Sequence, residues 1–193
     1  PQPPTKSPHA VRANCTLVPA MKRRLQQTMR ERYDQLGRWQ GWWLVAADGS
    51  RLEAPRTEDN QQILGCAGRH KTGPQVFVTT LWQLQLGVPW DFCVGPGTDS
   101  ERRHVETMLD TLPERSLVVA DAGFASYELC RRLIAQNQGF LLRVGSNLTL
   151  LTDLGYAYRE RAGQVDLWPQ KVQRQSRPPV TLRLIERQRG AAK

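Results

Sequence analysis

Short apolar runs broken by turn residues recur along the chain, and their period alternates between helical and extended. Residues 1–19 contain Pro1, Pro3, Pro4, Pro8 and Pro19 and are expected to be irregular. From Met21 the positions Met21, Leu25, Met29, Tyr33 and Leu36 return at helical spacing, with Arg23, Arg24, Arg30 and Arg32 elsewhere around the axis. Gly37 is a fitting C-terminal stop. This spacing predicts a helix packing its stripe on a core, with contact to DNA as the alternative role. Trp42-Trp43-Leu44-Val45-Ala46-Ala47 follows as a buried strand ended by Asp48-Gly49. Residues 65–74, with Gly65, Gly68, Gly73 and Pro74, predict a loop. Val76–Gln83 and Val88–Val94 predict a hairpin.

Beyond the turn Gly95-Pro96-Gly97, Thr98-x-x-Glu101 fits a capping box. The helix behind it places Val105, Met108, Leu109 and Leu112 on one face and stops at Pro113. Leu117–Ala120 is a short apolar strand ending in Asp121-Ala122-Gly123. A helix over residues 126–137 buries Tyr127, Cys130, Leu133 and Ile134, and Phe140–Val144 is the next strand. The order is three strands, helix, strand, helix, strand. Further short β segments are expected at 148–152, 164–168 and 180–187.

Composition narrows the class. No apolar run approaches the roughly 18 residues that span a bilayer, so no membrane partner is expected. Cys15, Cys66, Cys93 and Cys130 show neither C-x-x-C spacing nor a histidine ladder, which argues against a zinc site or a disulfide framework. They read as small buried hydrophobes of a reducing compartment. The net charge is +9, with 27 Lys+Arg against 18 Asp+Glu. It is unevenly spread: residues 1–40 carry +6, residues 41–153 carry −3 and residues 154–193 carry +6. An acidic centre between basic flanks suits a metal-binding core with polyanion-binding arms, although basic flanks also serve solubility.

Two carboxylates stand out by position. Asp48 and Asp121 each follow an apolar strand. If the two strands lie side by side in parallel, both carboxylates emerge where such sheets place functional groups. Two adjacent carboxylates repel unless a cation sits between them, and hard oxygen ligands favour Mg²⁺ or Mn²⁺. With a third carboxylate, two ions about 3.5–4 Å apart activate water and stabilise the leaving oxygen at a phosphodiester. The alternative for each is a turn or capping role, since Asp-Gly is a common turn dipeptide.

The segment Ala47-Asp48-Gly49-Ser50-Arg51-Leu52-Glu53-Ala54-Pro55-Arg56-Thr57 resembles the first-aspartate block of insertion-sequence-4-type DDE transposases. Val119-Ala120-Asp121-Ala122-Gly123-Phe124, continuing through Leu129 and Leu133 to Gly139-Phe140-Leu141-Leu142-Arg143-Val144, resembles their second-aspartate region. The resemblance covers residues 40–150. It implies an α/β fold: a ribonuclease-H-like mixed sheet flanked by helices, followed by the start of a β-rich insertion domain. The corresponding division is a Pro-rich basic segment with one helix (1–40), a partial catalytic core (41–146) and the beginning of the insertion domain (147–193). It also implies Asp48 and Asp121 as catalytic metal ligands for Mg²⁺ or Mn²⁺, cleavage of transposon ends and joining to target DNA. A homodimer assembled on DNA and a bacterial, cytoplasmic location on the chromosome belong to the same expectation.

The family's last motif has the form Tyr-x₂-Arg-x₃-Glu-x₆-Lys on a long helix. Tyr158-Arg159-Glu160-Arg161 has the letters in another register, and Glu186 lies in an alternating strand-like run. The third carboxylate is therefore expected to be missing, and the chain to be a truncated copy or a section of a longer frame. An inactive DNA-binding remnant and a host nuclease of the same fold are the competing functions. Arg69, His70 and Lys71 in the glycine-rich loop and Arg143 after the strand are candidate phosphate contacts, with a solvated loop as the alternative. His104 is expected to be exposed, and the tryptophans to serve packing rather than base stacking.

Overall fold

The computed structural model describes residues 8–66, 73–143, 157–161, 163–169, 176 and 178–185. It divides into two units, residues 1–116 and 117–193.

The first unit is an antiparallel sheet with helices against it. Helix α1 (Pro8–Arg32) precedes β1 (Arg38–Trp39) and β2 (Trp42–Glu53). Helix α2 (Glu58–Leu64), β3 (Gln75–Gln83), β4 (Val88–Pro96) and α3 (Glu101–Met108) follow, and α3 runs into a 3-10 turn at Leu109–Thr111. Strands β1 to β4 pair in chain order, each antiparallel to the next. Alternation decides the buried face: Trp43 and Val45 of β2, Phe77 and Leu81 of β3, and Trp90 of β4 are almost inaccessible. Trp43 and Trp90 meet edge to face at 5.4 Å, so these two indoles pack as expected. A Cβ on Gly37 would lie 2.3 Å from a Trp43 ring carbon. Glycine is needed there so that the ring can close on the backbone, not to stop a helix.

Four expectations are corrected here. Strand β2 does not end at Asp48-Gly49 but continues to Glu53, because β3 pairs with it without a break from Val45↔Gln83 to Glu53↔Gln75. A continuous partner strand outweighs the turn preference of an Asp-Gly pair. Helix α1 begins at Pro8, inside the segment expected to be irregular, where a proline is tolerated because first-turn N–H groups have no helical acceptor; it also carries Pro19 in its interior. Its expected stripe is not the packed face. Met29 is buried, but Met21 and Leu36 are more than 60% exposed. The helix is instead held by polar ends on long stems. Lys22 pairs with buried Asp91 and donates to Phe92 O at 2.7 Å, Gln26 donates to Trp90 O at 3.1 Å, and Arg30 donates to Thr111 O at 2.6 Å. Helix α3 has Ser100, not Thr98, at its N-cap, with no side-chain cap bond.

In the second unit β5 (Ser116–Ala120) pairs in parallel with β6 (Gly139–Leu142), Leu117↔Gly139 to Ala120↔Leu142. The crossover contains a 3-10 turn (Ala122–Phe124) and helix α4 (Tyr127–Ala135). Ser126 caps α4 by accepting from the Leu129 N–H at 3.1 Å. Strands β7 (Ala157–Arg161), β8 (Gln164–Trp168) and β9 (Val180–Arg183) form an antiparallel sheet. Ala125, Cys130, Val165, Leu167 and Val180 make one buried cluster, with Phe140, Leu142 and Leu182 against it. Burial pushes the Cys130 thiol up to about 12.

The fold class is α/β, with antiparallel pairing in the first unit, both parallel (β5–β6) and antiparallel (β7–β9) pairing in the second, and helices packed on the strands. No helix among the described residues is long and apolar enough to cross a membrane. The expected strand at 148–152 lies outside the described residues.

Candidate functional site

Asp48 belongs to the first unit and Asp121 to the second. In β2 the residues opposite to the buried face are Ala46, Asp48 and Ser50; in β3 they are Val78, Thr80 and Trp82. These six line an open groove of about 370 Å³. The register sets Asp48 across from Thr80, Ala46 across from Trp82 and Ser50 across from Val78. Asp48 is exposed, and its Oδ1 accepts from the Gly49 N–H at 2.9 Å. Its second oxygen has no protein partner among the described residues.

Asp121 comes directly after β5, where the sequence places it. It is exposed and caps the 3-10 turn, Oδ1 accepting from the Gly123 N–H at 2.8 Å. The other oxygen is again open among the described residues. Both aspartates thus use one oxygen on a nearby backbone N–H and leave the other for solvent or a ligand. The capping role weighed for Asp121 is present, and it consumes only half of the carboxylate.

Arg143 lies at the same end of the parallel pair. Its N–H donates to Ala120 O at 2.9 Å, one residue before Asp121, and its side chain is exposed. Within the second unit the carboxylate and the guanidinium therefore stem from adjacent strand ends. Arg69, His70 and Lys71 lie outside the described residues, as does Glu186. Glu160 is in β7, paired with Val165 of β8, and so is not on a helix.

Two features escaped the sequence. The Asp48 groove was not anticipated, although the alternation Val76, Val78, Thr80, Trp82 marks one face of β3 once the strand is granted. Trp82 is 43% exposed in that groove rather than packed. His104, expected on the surface, is 4% exposed. Its Nδ1 meets Thr79 Oγ1 at 2.9 Å and its Nε2 meets Asp99 Oδ2 at 3.1 Å. Thr79 is itself fully buried, so this chain of contacts braces α3 on β3 and presents no reactive hydroxyl to solvent. Thr79 lies 25 residues before His104, and Asp99, five residues before it, precedes the helix, so helical periodicity reveals neither partner.

A family model, the transposase DDE domain, matches residues 39–191, a span containing both aspartates. The chain belongs to the transposase DDE-domain family. No curated protein matches this transposase-family chain. A solved structure with some likeness is the piggyBac transposase synaptic complex with hairpin DNA, determined by cryo-EM. It is 10% identical over 64% of this chain, with a TM-score of 0.36. The match covers 30% of the piggyBac chain, and at that TM-score it adds nothing to the family assignment.

Each open oxygen, that of Asp48 in the first unit and that of Asp121 in the second, is a hard donor of the kind that Mg²⁺ or Mn²⁺ takes. Among the described residues no group of three or more His, Cys, Asp or Glu side chains comes together.

Proposed function

We propose that this chain carries the first two metal-binding carboxylates, Asp48 and Asp121, of an insertion-sequence-4-type DNA transposase that cleaves transposon ends and joins them to target DNA. The observation that carries the reading is that two aspartates within the matched family span each hold one carboxylate oxygen open to solvent. A divalent ion, Mg²⁺ or Mn²⁺, held there supplies Lewis acidity at a phosphodiester. Asp48 and Asp121 bind it, and Arg143 supplies positive charge beside Asp121 for a phosphate oxygen. Arg69 and Lys71 add contacts to the DNA phosphates, and the basic flanks add salt-sensitive attraction to DNA. The chain acts in the bacterial cytoplasm as a homodimer on DNA, because two ends must be cut. Residues 147–193 begin the insertion domain.

The test is Mn²⁺ binding by electron paramagnetic resonance, together with cleavage of transposon-end DNA by the full reading frame. Asp48→Ala and Asp121→Ala are each expected to lower Mn²⁺ occupancy and reduce cleavage to background. Normal cleavage by either variant overturns its assignment.

A second reading concerns residues 1–193 by themselves. Glu160 lies in a strand rather than on the helix that the last family motif requires, and no other segment of this chain has that motif's form. The chain alone is then a DNA-binding fragment without cutting activity. Mg²⁺-dependent nicking by residues 1–193, abolished in Asp48→Ala, would refute it.

A further inference from the structure

We propose that Glu101 is a positioning residue for Asp48: its carboxylate fills the place of the side chain that Gly49 lacks and holds β2 from behind, on the face opposite to the groove. The inference rests on the reading of Asp48 as a metal ligand. Side chains alternate along β2, so Asp48 lines the groove while Ala47 and Gly49 belong to the buried side. A glycine inside a strand often marks a place where another group approaches closely. Here a Cβ built on Gly49 would fall on the Glu101 carboxylate, with Glu101 Cδ at 2.8 Å and Phe77 Cε2 at 2.9 Å. Gly49 has no left-handed φ, so a side chain at this position would offend the close approach and not the backbone.

Glu101 opens α3, and His104, three residues on, lies on the same side of that helix. His104 Nδ1 meets Thr79 Oγ1 at 2.9 Å, and Thr79 is the residue paired with Gly49 in the β2–β3 ladder. Asp99 holds the ring from its other nitrogen, Nε2, at 3.1 Å. The Phe77 ring, 5.5 Å from that of His104, closes the same layer. The first turn of α3 thus touches both members of one rung, Gly49 through Glu101 and Thr79 through His104. The next rung is Asp48 with Thr80. Ladder hydrogen bonds run between the strands within the sheet, so they resist sliding of one strand against the other. Against displacement normal to the sheet they do much less, and packing decides. Gly49 has no side chain to pack, and Glu101 supplies that contact one residue from Asp48. A functional side chain must be held to within about 0.5 Å of its working position, so slack behind Gly49 would be felt at the Asp48 carboxylate.

The experiment is an Mn²⁺ titration of the full reading frame, followed by electron paramagnetic resonance, with amide exchange at residues 48–50 as a second readout. Glu101→Ala is expected to weaken Mn²⁺ binding about 10-fold, the lower end of the roughly 10- to 100-fold that contacts supporting a metal ligand are worth, and to speed the exchange. Glu101→Gln keeps the shape and is expected to match the native chain in both. Gly49→Ala is expected to weaken binding, and its combination with Glu101→Ala to recover part of that loss, because the new methyl group enters the vacated place and meets only the edge of Phe77. Met29→Ala, a core truncation in α1, is the stability control: it lowers Tm and leaves Mn²⁺ affinity unchanged. Native affinity in Glu101→Ala, a loss in Glu101→Gln as large as in Glu101→Ala, losses that simply multiply in the double variant, or an equal loss in Met29→Ala overturns the proposal. Asp48→Ala separates the two readings. In its background Glu101→Ala is expected to cause no further loss, and a further loss overturns the positioning role. Unchanged Mn²⁺ affinity in Asp48→Ala itself removes the metal role of Asp48 and the proposal with it. Weakened binding in Asp48→Ala beside native binding in Glu101→Ala keeps Asp48 and removes the role of Glu101 alone.

Discussion

Thr79→Val removes one atom's worth of chemistry from the buried contact chain Asp99–His104–Thr79. Valine keeps the branched shape on a fully buried strand position, so the cavity contribution is close to zero. What remains is His104 Nδ1, which faces Thr79 Oγ1 at 2.9 Å in the native protein and would face a methyl group in the variant. At 4% exposure the ring cannot recruit water freely. An unsatisfied buried polar group costs about 1–3 kcal/mol, and for a domain of this size each kcal/mol lowers Tm by roughly 2–4 °C. Urea unfolding followed by tryptophan fluorescence should show a lower midpoint at unchanged slope. The cycle with His104→Leu sharpens the result, since residues in direct contact couple by about 0.5–3 kcal/mol. If the two substitutions add without coupling, or if Thr79→Val alone stabilises the protein, the hydrogen bond contributes nothing and the bracing role of His104 falls.

Two more outcomes follow from burial and close approach. With its thiol pushed up to about 12, Cys130 stays protonated at pH 8 and should resist iodoacetamide in the folded protein; Cys66 and Cys93, both half-buried, should be alkylated first, as peptide mass spectrometry would record. Equal labelling of Cys130 under native conditions would contradict the packing of α4. Gly97→Ala should destabilise by about 1–3 kcal/mol through overpacking, because the added Cβ would lie 2.8 Å from the backbone oxygen of Gln75 and 2.7 Å from its Cβ. An unchanged Tm would refute the close approach of Gly97 to Gln75.

The parts of the fold that were legible in the sequence are those decided locally. Leu117–Ala120, Asp121 and the Ser126 helix carry their own signals: an apolar run, a short polar residue at its end, and a serine before a periodic stretch. The β3–β4 hairpin was legible for the same reason. Where a distant partner decides, sequence reasoning stopped short. Strand β2 passes through Asp48-Gly49 because nine residues of β3 lie alongside it, and no feature of residues 48–49 announces that. The packed face of α1 was missed because Lys22, Gln26 and Arg30 count as polar in a periodicity plot, yet their ends find carbonyls on β4 and after α3. The Asp48 groove inherits the same difficulty: Trp82 becomes a neighbour of Asp48 only through the ladder register. The family blocks around the two aspartates were legible as strings of residues, and that resemblance located candidates that periodicity alone would have left as turn formers.

The two aspartates are mounted differently. Asp48 sits in the middle of a strand hydrogen-bonded along its length, so its Cα is fixed and only its side-chain torsions remain to adjust. Asp121 sits on a one-turn 3-10 segment that follows a strand end, held by its own bond to the Gly123 N–H. One carboxylate is a fixed post and the other an adjustable arm. Amide exchange should be slow at residues 47–51 and faster at 121–124. During divergence, changes in reach then come cheaply at the arm, through the residues of its turn. At the post, a shift of a single residue would turn every side chain of β2 to the wrong face.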